Sequence, residues 1–172
     1  MLAEIVLIPS ESKKLISLAI LELPEVKNAF KHGIVALHPS STTVFLYKEI
    51  LGQWPQGVWV SGVIAPKGFC GSLEMARIKA SRPPGRHDSG KNLYTWFFKK
   101  GVLQEPIPVD EILDQMGAED VYVKAGNAVD PQGNVGVLYA NPTGGTVVKI
   151  IAAQRKKGFH LLLAVQQLQE IH

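Results

Sequence analysis

The feature that most constrains the fold of this chain is the alternation of short apolar runs with segments of helical periodicity. Residues 34–37 form a continuous apolar run, which is typical of a parallel strand covered on both faces. The next segment, 42–51, carries apolar side chains at helical spacing and is followed by Gly52. Such alternation predicts a sheet whose strands are joined by crossover helices.

The same patterns extend along the chain. We predict further strands over 4–9, 58–64, 120–124 and 159–165, and helices over 10–23, 25–31, 109–116, 144–157 and from 166 onwards. Two β-rich runs flank a turn at Gly101, which predicts a β-hairpin at about 93–104. A surface loop rich in Pro, Gly, Ser and Arg is predicted over 71–90. The predicted fold class is α/β, with three layers, a mostly parallel sheet, helices on both faces and one hairpin.

Length and composition predict one folded domain over residues 1–172. The chain has 172 residues, of which 46% are hydrophobic and 19% are charged. No apolar run approaches the roughly 20 residues that a membrane helix needs, so we expect no membrane segment. The first residues lack the basic leader of a signal peptide. The chain stops within the predicted last helix, and a longer natural product is therefore possible.

Cysteine usage and charge limit the compartment and the partners. The single cysteine, Cys70, excludes an internal disulfide framework and favours a cytoplasmic location. The net charge is +3, but the only dense basic run, 155–157, lies just before Gly158. Cations there complement the end of a helix dipole, and this interpretation is favoured over a nucleic-acid patch, so no nucleic-acid partner is expected. The five histidines show no metal-ligand spacing, so no metal is expected.

Four consecutive hydroxyl residues join the first buried strand to the helix after it. Hydroxyls and unpaired backbone N–H groups at the positive end of a helix dipole are suited to binding an anion. The alternative is that one hydroxyl caps the helix. These candidate ligand-binding residues are Ser40, Ser41, Thr42 and Thr43.

A lysine at the end of a predicted strand opens a second candidate segment. Lys124 and, further along the loop, Asp130 are the candidate catalytic residues. The alternative is a run of turns, which favours Asn, Asp and Gly for backbone reasons. The candidate ligand-binding residues of this loop are Gly126, Asn127, Gly133 and Asn134.

A third candidate segment precedes the helix over 144–157. Glycines allow close approach of a ligand to the backbone, and threonines offer hydroxyls, although capping alone would explain one threonine. The residues are Thr143, Gly144, Gly145 and Thr146. In the helix that follows, we expect the inward-facing residues to be Val147, Val148, Ile151 and Ala152. Weaker signals are His38 and His87 as acids or bases, although a lone histidine is more often structural.

Two of these segments resemble a known superfamily, which contains ribose-5-phosphate isomerases, glucosamine-6-phosphate deaminases, coenzyme A transferases and sugar-sensing regulator domains. Residues 33–43 (GIVALHPSSTT) look like the strand, hydroxyl-rich turn and helix with which the isomerases and regulators hold a sugar phosphate. Residues 120–125 (DVYVKA) and 130–135 (DPQGNV) are similar to a stretch of the α-type halves of coenzyme A transferases. The resemblance implies the fold and a ligand-binding sheet edge.

The chain departs from that superfamily at its catalytic motifs. The Ser-Glu-Asn-Gly setting of the transferase nucleophile and the isomerases' Asp-Gly-Ala-Asp-Glu signature are missing. Three hypotheses therefore stay open: an enzyme acting on a phosphorylated sugar or coenzyme A-type metabolite, a non-catalytic binder of such a metabolite, and a subunit that completes its active site with a partner chain. The expected partner is a small anionic, phosphorylated metabolite, and a homo-oligomer is possible.

Overall fold

The structure, a computed structural model, describes residues 6–55, 94–139 and 141–166. Its helices are α1 (Pro9–Glu22), α2 (Pro24–His32), α3 (Thr43–Leu51), α4 (Val109–Gln115) and α5 (Gly145–Lys157). Its strands are β1 (Ile34–Leu37), β2 (Tyr94–Lys99), β3 (Val102–Leu103), β4 (Ile107–Pro108), β5 (Val121–Gly126), β6 (Ala128–Val129), β7 (Val135–Gly136) and β8 (His160–Val165). None of the helices within these ranges combines the length and the apolar character needed to cross a membrane.

The main sheet is mixed, with parallel strands at its centre and along one side. The strand order is β3-β2-β1-β5-β8, and β4 pairs with β2 away from this path. β1, β5 and β8 are parallel, whereas β2 runs antiparallel to β1, β3 and β4. β1 is an interior strand with all four residues buried. The predicted α/β class is therefore confirmed.

Each face of the sheet carries its own hydrophobic cluster, because successive strand residues point to opposite faces. On one side, which we call the α3 face, Val35 and Val123 pack in a cluster with Ile20 of α1, Ala29 of α2 and Leu46 of α3. On the other side, the α5 face, Ala36 and Tyr122 pack with Ile112 of α4 and Ile150 of α5. Helices therefore lie against both faces of β1 and β5.

Turn chemistry sets several of the element boundaries. Gly52 and Gly158 end α3 and α5 in the left-handed conformation, with φ of 71° and 79°, and their N–H groups bond to carbonyls of the last turn. Lys100 and Gly101 join β2 to β3 with φ of 50° and 78°. Two consecutive positive φ values match the twist of antiparallel strands joined by a two-residue turn.

The predicted strand over 4–9 is wrong in its described part. Val6 is 88% exposed, residues 6–8 join no strand, and α1 begins at Pro9. Proline at the first helical position has a suitable φ and needs no hydrogen bond there. The Glu11 carboxylate then accepts a hydrogen bond from the Ile8 N–H at 2.9 Å, which fixes the helix start. Local helix-start signals thus override the apolar run.

The predicted inward face of the helix over 144–157 is wrong for three of its four residues, and only Val147 is partly buried. Ile150 is its buried residue, whereas Val148 and Ile151 are 50% and 36% exposed, and Ala152 is exposed as well. The apolar residues cover two faces of this helix, so the packing partner decides between them. Contacts with α4, including Lys157 Nζ donating to the Leu113 carbonyl at 2.8 Å, select the face that carries Ile150.

Several predictions fall on parts of the chain that lie outside the described residues. These are the strand over 58–64, the loop over 71–90, the residues Cys70 and His87, and the helix from 166 onwards beyond its first residue.

Candidate functional site

The carboxyl ends of β1 and β5 meet at a topological switch point, which we call the crevice. β1 leads into α3, which covers the α3 face, whereas the chain after β5 leads to α5, which covers the α5 face. The two strands are adjacent and parallel, so their carboxyl ends open between connections that leave in opposite directions. Open α/β sheets bind ligands at such a point. His38 directly follows β1, and Lys124 lies in the second half of β5.

His38 is held in the sheet by its backbone and buried at its side chain. Its N–H donates to the Val123 carbonyl at 2.9 Å, which extends the β1–β5 pairing by one residue. The residue is 5% exposed. Nδ1 lies 2.9 Å from the Tyr122 hydroxyl, and that hydroxyl lies 3.4 Å from Oγ1 of Thr95. Three segments that are distant in sequence thus contribute one polar group each to a buried hydrogen-bond network.

Burial controls the protonation of this group. Desolvation, with a smaller contribution from the charge of Lys124, lowers the pKa of His38 to about 3. Burial also raises the pKa of the Tyr122 hydroxyl and lowers the pKa of the Lys124 ammonium. At neutral pH, His38 and Tyr122 are both uncharged, and the proton of Lys124 is easier to remove than in water.

The hydrogen-bond chain leaves one imidazole nitrogen for another partner. If Thr95 donates to Tyr122 and Tyr122 donates to Nδ1 of His38, the ring proton resides on Nε2. Within the described ranges, no residue forms a hydrogen bond with Nε2. Because a buried N–H without a partner is costly, Nε2 is suited to donate to a ligand oxygen.

The hydroxyls of the turn before α3 bond mainly to one another. Ser40 Oγ accepts from the N–H of Thr43 at 3.0 Å and lies 2.9 Å from Thr43 Oγ1. Thr43 Oγ1 donates to the His38 carbonyl at 2.5 Å. Thr42 and Thr43 are buried, and Ser41 is exposed. Capping accounts for the bonds of Ser40, and Thr43 positions the backbone of His38.

Asp130 forms a turn of its own at the protein surface. Its carboxylate accepts from the N–H groups of Gln132 and Asn134 at 3.0 and 2.8 Å and from the Asn134 amide at 2.8 Å. These bonds lower the pKa of the Asp130 carboxyl. Gly133, with φ of 84°, completes the turn. The turn interpretation accounts for these contacts.

Close packing explains the glycine at the end of β5. A Cβ at Gly126 would lie 2.9 Å from a methyl carbon of Val165 and would also overlap Val135. Nearby, the Asn127 side chain accepts a hydrogen bond from the Leu138 N–H at 2.9 Å. Gly126 and Asn127 therefore join β5 and β8 to the small β6–β7 pair.

The segment before α5 is organised by Asn141. Its side-chain oxygen accepts from the N–H and the hydroxyl of Thr143 at 2.9 and 2.8 Å. Gly144 and Gly145 follow with φ of 81° and 54°, and Thr146 is partly buried in the first turn of α5. Since α5 and α3 cover opposite faces, this segment and the hydroxyl turn flank the sheet edge from opposite sides.

The buried hydrogen-bond network includes two residues that the sequence analysis did not select, Tyr122 and Thr95. One signal could have indicated Tyr122, namely a tyrosine inside an apolar strand pattern, since a buried hydroxyl needs a partner. Across residues 6–55, 94–139 and 141–166, no group of three or more His, Cys, Asp or Glu side chains is placed to hold a metal ion.

Comparisons with known proteins identify no relative of this chain. No protein-family model, curated protein or solved structure matches the chain. The functional argument therefore depends on the crevice itself.

Proposed function

We propose that the crevice between β1 and β5 binds a small anionic metabolite, either a phosphorylated sugar or a coenzyme A-type compound, and that the protein is an enzyme acting on it. The observation that carries this proposal is the partly buried Lys124 beside His38 at the switch point of the sheet. Structural lysines rarely occupy such a position, because removing an ammonium from water is unfavourable.

Binding of the anion would use charge and backbone together. Lys124 supplies a positive charge within the crevice. The start of α5, at Gly145 and Thr146, presents N–H groups that have no acceptor inside the helix, and its dipole favours a negative group. The start of α3 is less available, because Ser40 already accepts from the N–H groups of Thr42 and Thr43.

Lys124 and His38 supply the chemistry in this proposal. A lysine whose pKa is lowered gives up its proton more readily than a lysine in water, and neutral His38 can donate from Nε2 to a developing oxyanion. Asp130 contributes less, since its carboxylate is occupied by its own turn. We also propose that the fold has three layers with a hairpin near 93–104 and that the chain is related to the superfamily it resembles. A cytoplasmic location and, as an option, a homo-oligomer belong to the same proposal.

Thermal-shift measurements with ribose 5-phosphate, glucosamine 6-phosphate and acetyl-coenzyme A test the proposal. A ligand at 100 times its dissociation constant should stabilise the protein by about 2.7 kcal/mol. Lys124→Ala should abolish that shift, whereas Lys27→Ala, which removes an exposed surface lysine, should keep it. Turnover of the stabilising compound should be lost in Lys124→Ala and retained in Asp130→Asn.

Each outcome separates the alternatives. Binding without turnover favours the non-catalytic metabolite-binding domain. Absence of any shift with phosphorylated compounds contradicts the proposal and favours a subunit completed by a partner chain.

A further inference from the structure

A concave site lies on the α3 face of the sheet, and neither His38 nor Lys124 lines it. Its volume is about 550 Å³, within the range of roughly 300–1,000 Å³ that is usual for small-molecule pockets. It is lined by residues from the end of α3 and from β2, β3 and the segment after β3: Tyr47, Gln53, Trp54, Trp96, Leu103, Gln104, Glu105 and Pro106. We call this site the tryptophan cleft.

Three of the eight residues that line the tryptophan cleft are aromatic. Trp54 is 49% exposed, although tryptophan ordinarily buries most of its surface. Tyr47 and Trp96 meet edge to face, with ring centroids 5.1 Å apart and planes at 80°. This contact holds the two rings in a fixed arrangement at the cleft.

The charges around the cleft select against ionic ligands. Lys48 Nζ lies 4.4 Å from the centre of the Trp54 ring and would repel a second cation on that aromatic surface. Glu105 contributes an exposed carboxylate, which would repel an anion. A neutral ligand avoids both penalties.

The polar groups of the lining fit hydroxyl groups. Gln104 donates from Nε2 to the Val102 carbonyl at 3.0 Å, which engages its amide nitrogen, and its side-chain oxygen is able to accept. Glu105 is also an acceptor, and the exposed Gln53 can both donate and accept. Acceptors beside aromatic faces match a sugar ring, whose hydroxyls donate at the edge and whose C–H groups pack on an aromatic surface.

From these features we propose that the tryptophan cleft is a binding site for a neutral saccharide, with the part of the Trp54 ring that Lys48 leaves uncovered as the stacking surface and Glu105 as an acceptor for ring hydroxyls. This site is distinct from the crevice, because it lies on the opposite side of the sheet from Tyr122 and requires no phosphate. It therefore goes beyond the proposed function and does not depend on it.

Calorimetric titration with methyl glucoside, maltose, cellobiose and chitobiose tests the proposal. At least one of them should bind, and Trp54→Ala should weaken that binding about tenfold, equivalent to about 1.4 kcal/mol. Tyr139→Ala, which truncates an exposed aromatic residue outside the cleft, should leave binding unchanged. Glu105→Gln should weaken binding while keeping the melting temperature, and Lys124→Ala should bind the saccharide normally.

Three results would overturn the proposal. The first is no binding by any of the four saccharides at millimolar concentration. The second is equal affinity in wild type and Trp54→Ala. The third is loss of saccharide binding in Lys124→Ala, which would place the saccharide in the crevice. Because Trp54 is half exposed, its truncation should leave the protein folded, and a melting curve checks this.

Discussion

Nδ1 of His38, the residue after β1, lies 2.9 Å from the hydroxyl of Tyr122 in the adjacent parallel strand β5, more than 80 residues away in sequence. Both side chains are buried, so this hydrogen bond satisfies two polar groups that would otherwise lack water. It also fixes the imidazole at the carboxyl end of β1, where the proposed ligand would bind. The bond therefore connects the stability of the core with the geometry of the site.

Replacing Tyr122 by phenylalanine tests this connection. Tyr122→Phe should lower the free energy of unfolding by about 1–3 kcal/mol, because Nδ1 of His38 would be buried without a partner. Urea denaturation measures the change. Tyr139→Phe is the matched control, since Tyr139 is 61% exposed and its hydroxyl should contribute little. Equal stability of the two variants would mean that the hydrogen bond has no net effect.

The stability of the protein should fall in mildly acidic solution because of His38. Its pKa is lowered from 6.5 to about 3 in the folded state, so the unfolded chain binds more protons between these values. This contribution is fully present above pH 6.5 and is lost as the pH falls through the folded pKa. The slope approaches about 1.4 kcal/mol per pH unit. Urea denaturation between pH 7 and pH 5, where most carboxylates stay ionised, measures it.

A variant isolates the contribution of His38 to this pH dependence. His38→Gln removes the titrating group and keeps a polar side chain, so its stability should change much less between pH 7 and pH 5. An unchanged slope in His38→Gln would assign the acid sensitivity to other groups.

Helices and strands could be predicted from the sequence where interactions between neighbouring residues determine them. The apolar run of β1 and Gly52 at the end of α3 each act through neighbouring residues, and both predictions are confirmed. The buried face of α5 could not be predicted from the sequence, because apolar residues lie on two sides of the helix. Packing against α4 decides which of the two sides is buried. Likewise, the strand predicted over 4–9 ignored the helix start at Pro9.

The candidate site was harder to predict because it depends on long-range pairing. Lys124 was identified by its place at a strand end, and His38 was noted only as a weak candidate. Their proximity, and the inclusion of Thr95 and Tyr122, follow from the order of β2, β1 and β5 in the sheet. No spacing in the sequence contains that order. The hydroxyls of Ser40 and Thr43 likewise bond to each other in a way that composition does not reveal.

Lys124 should lower the free energy of unfolding, because its position suits ligand binding and not stability. Burial disfavours the charged form of Lys124. The free energy of unfolding of Lys124→Met, measured with urea, should therefore equal that of the wild type or exceed it by up to about 1 kcal/mol. The same variant should lose binding of the phosphorylated compounds. Lys149→Met, which breaks an exposed ion pair with Asp110, serves as the control and should keep binding. A clear loss of stability in Lys124→Met would indicate a structural role for this lysine.

The two glycines before α5 should respond differently to substitution, and the difference tests the anion-binding role of that segment. At Gly144 a Cβ would overlap the side chain of Val148, and φ is 81°, so Gly144→Ala should destabilise the protein by about 1–3 kcal/mol. At Gly145 a Cβ would meet Asn141 Cβ at 3.5 Å, an ordinary contact, so only the φ of 54° costs stability, about 1 kcal/mol. Urea denaturation of both variants measures this order.

Gly145→Val carries the functional half of the same test. A branched side chain at the start of α5 would block the approach of a phosphate to the first N–H groups of the helix, so affinity for the stabilising metabolite should fall. The Thr43→Ala variant is the counterpart on α3, where the hydroxyl already bonds to the His38 carbonyl, and it should weaken binding by only about 1 kcal/mol. Calorimetry on folded samples gives both affinities. If Gly145→Val is folded and retains the wild-type affinity, Gly144 and Gly145 serve only to begin α5, and the anion must be held by Lys124 without help from this helix.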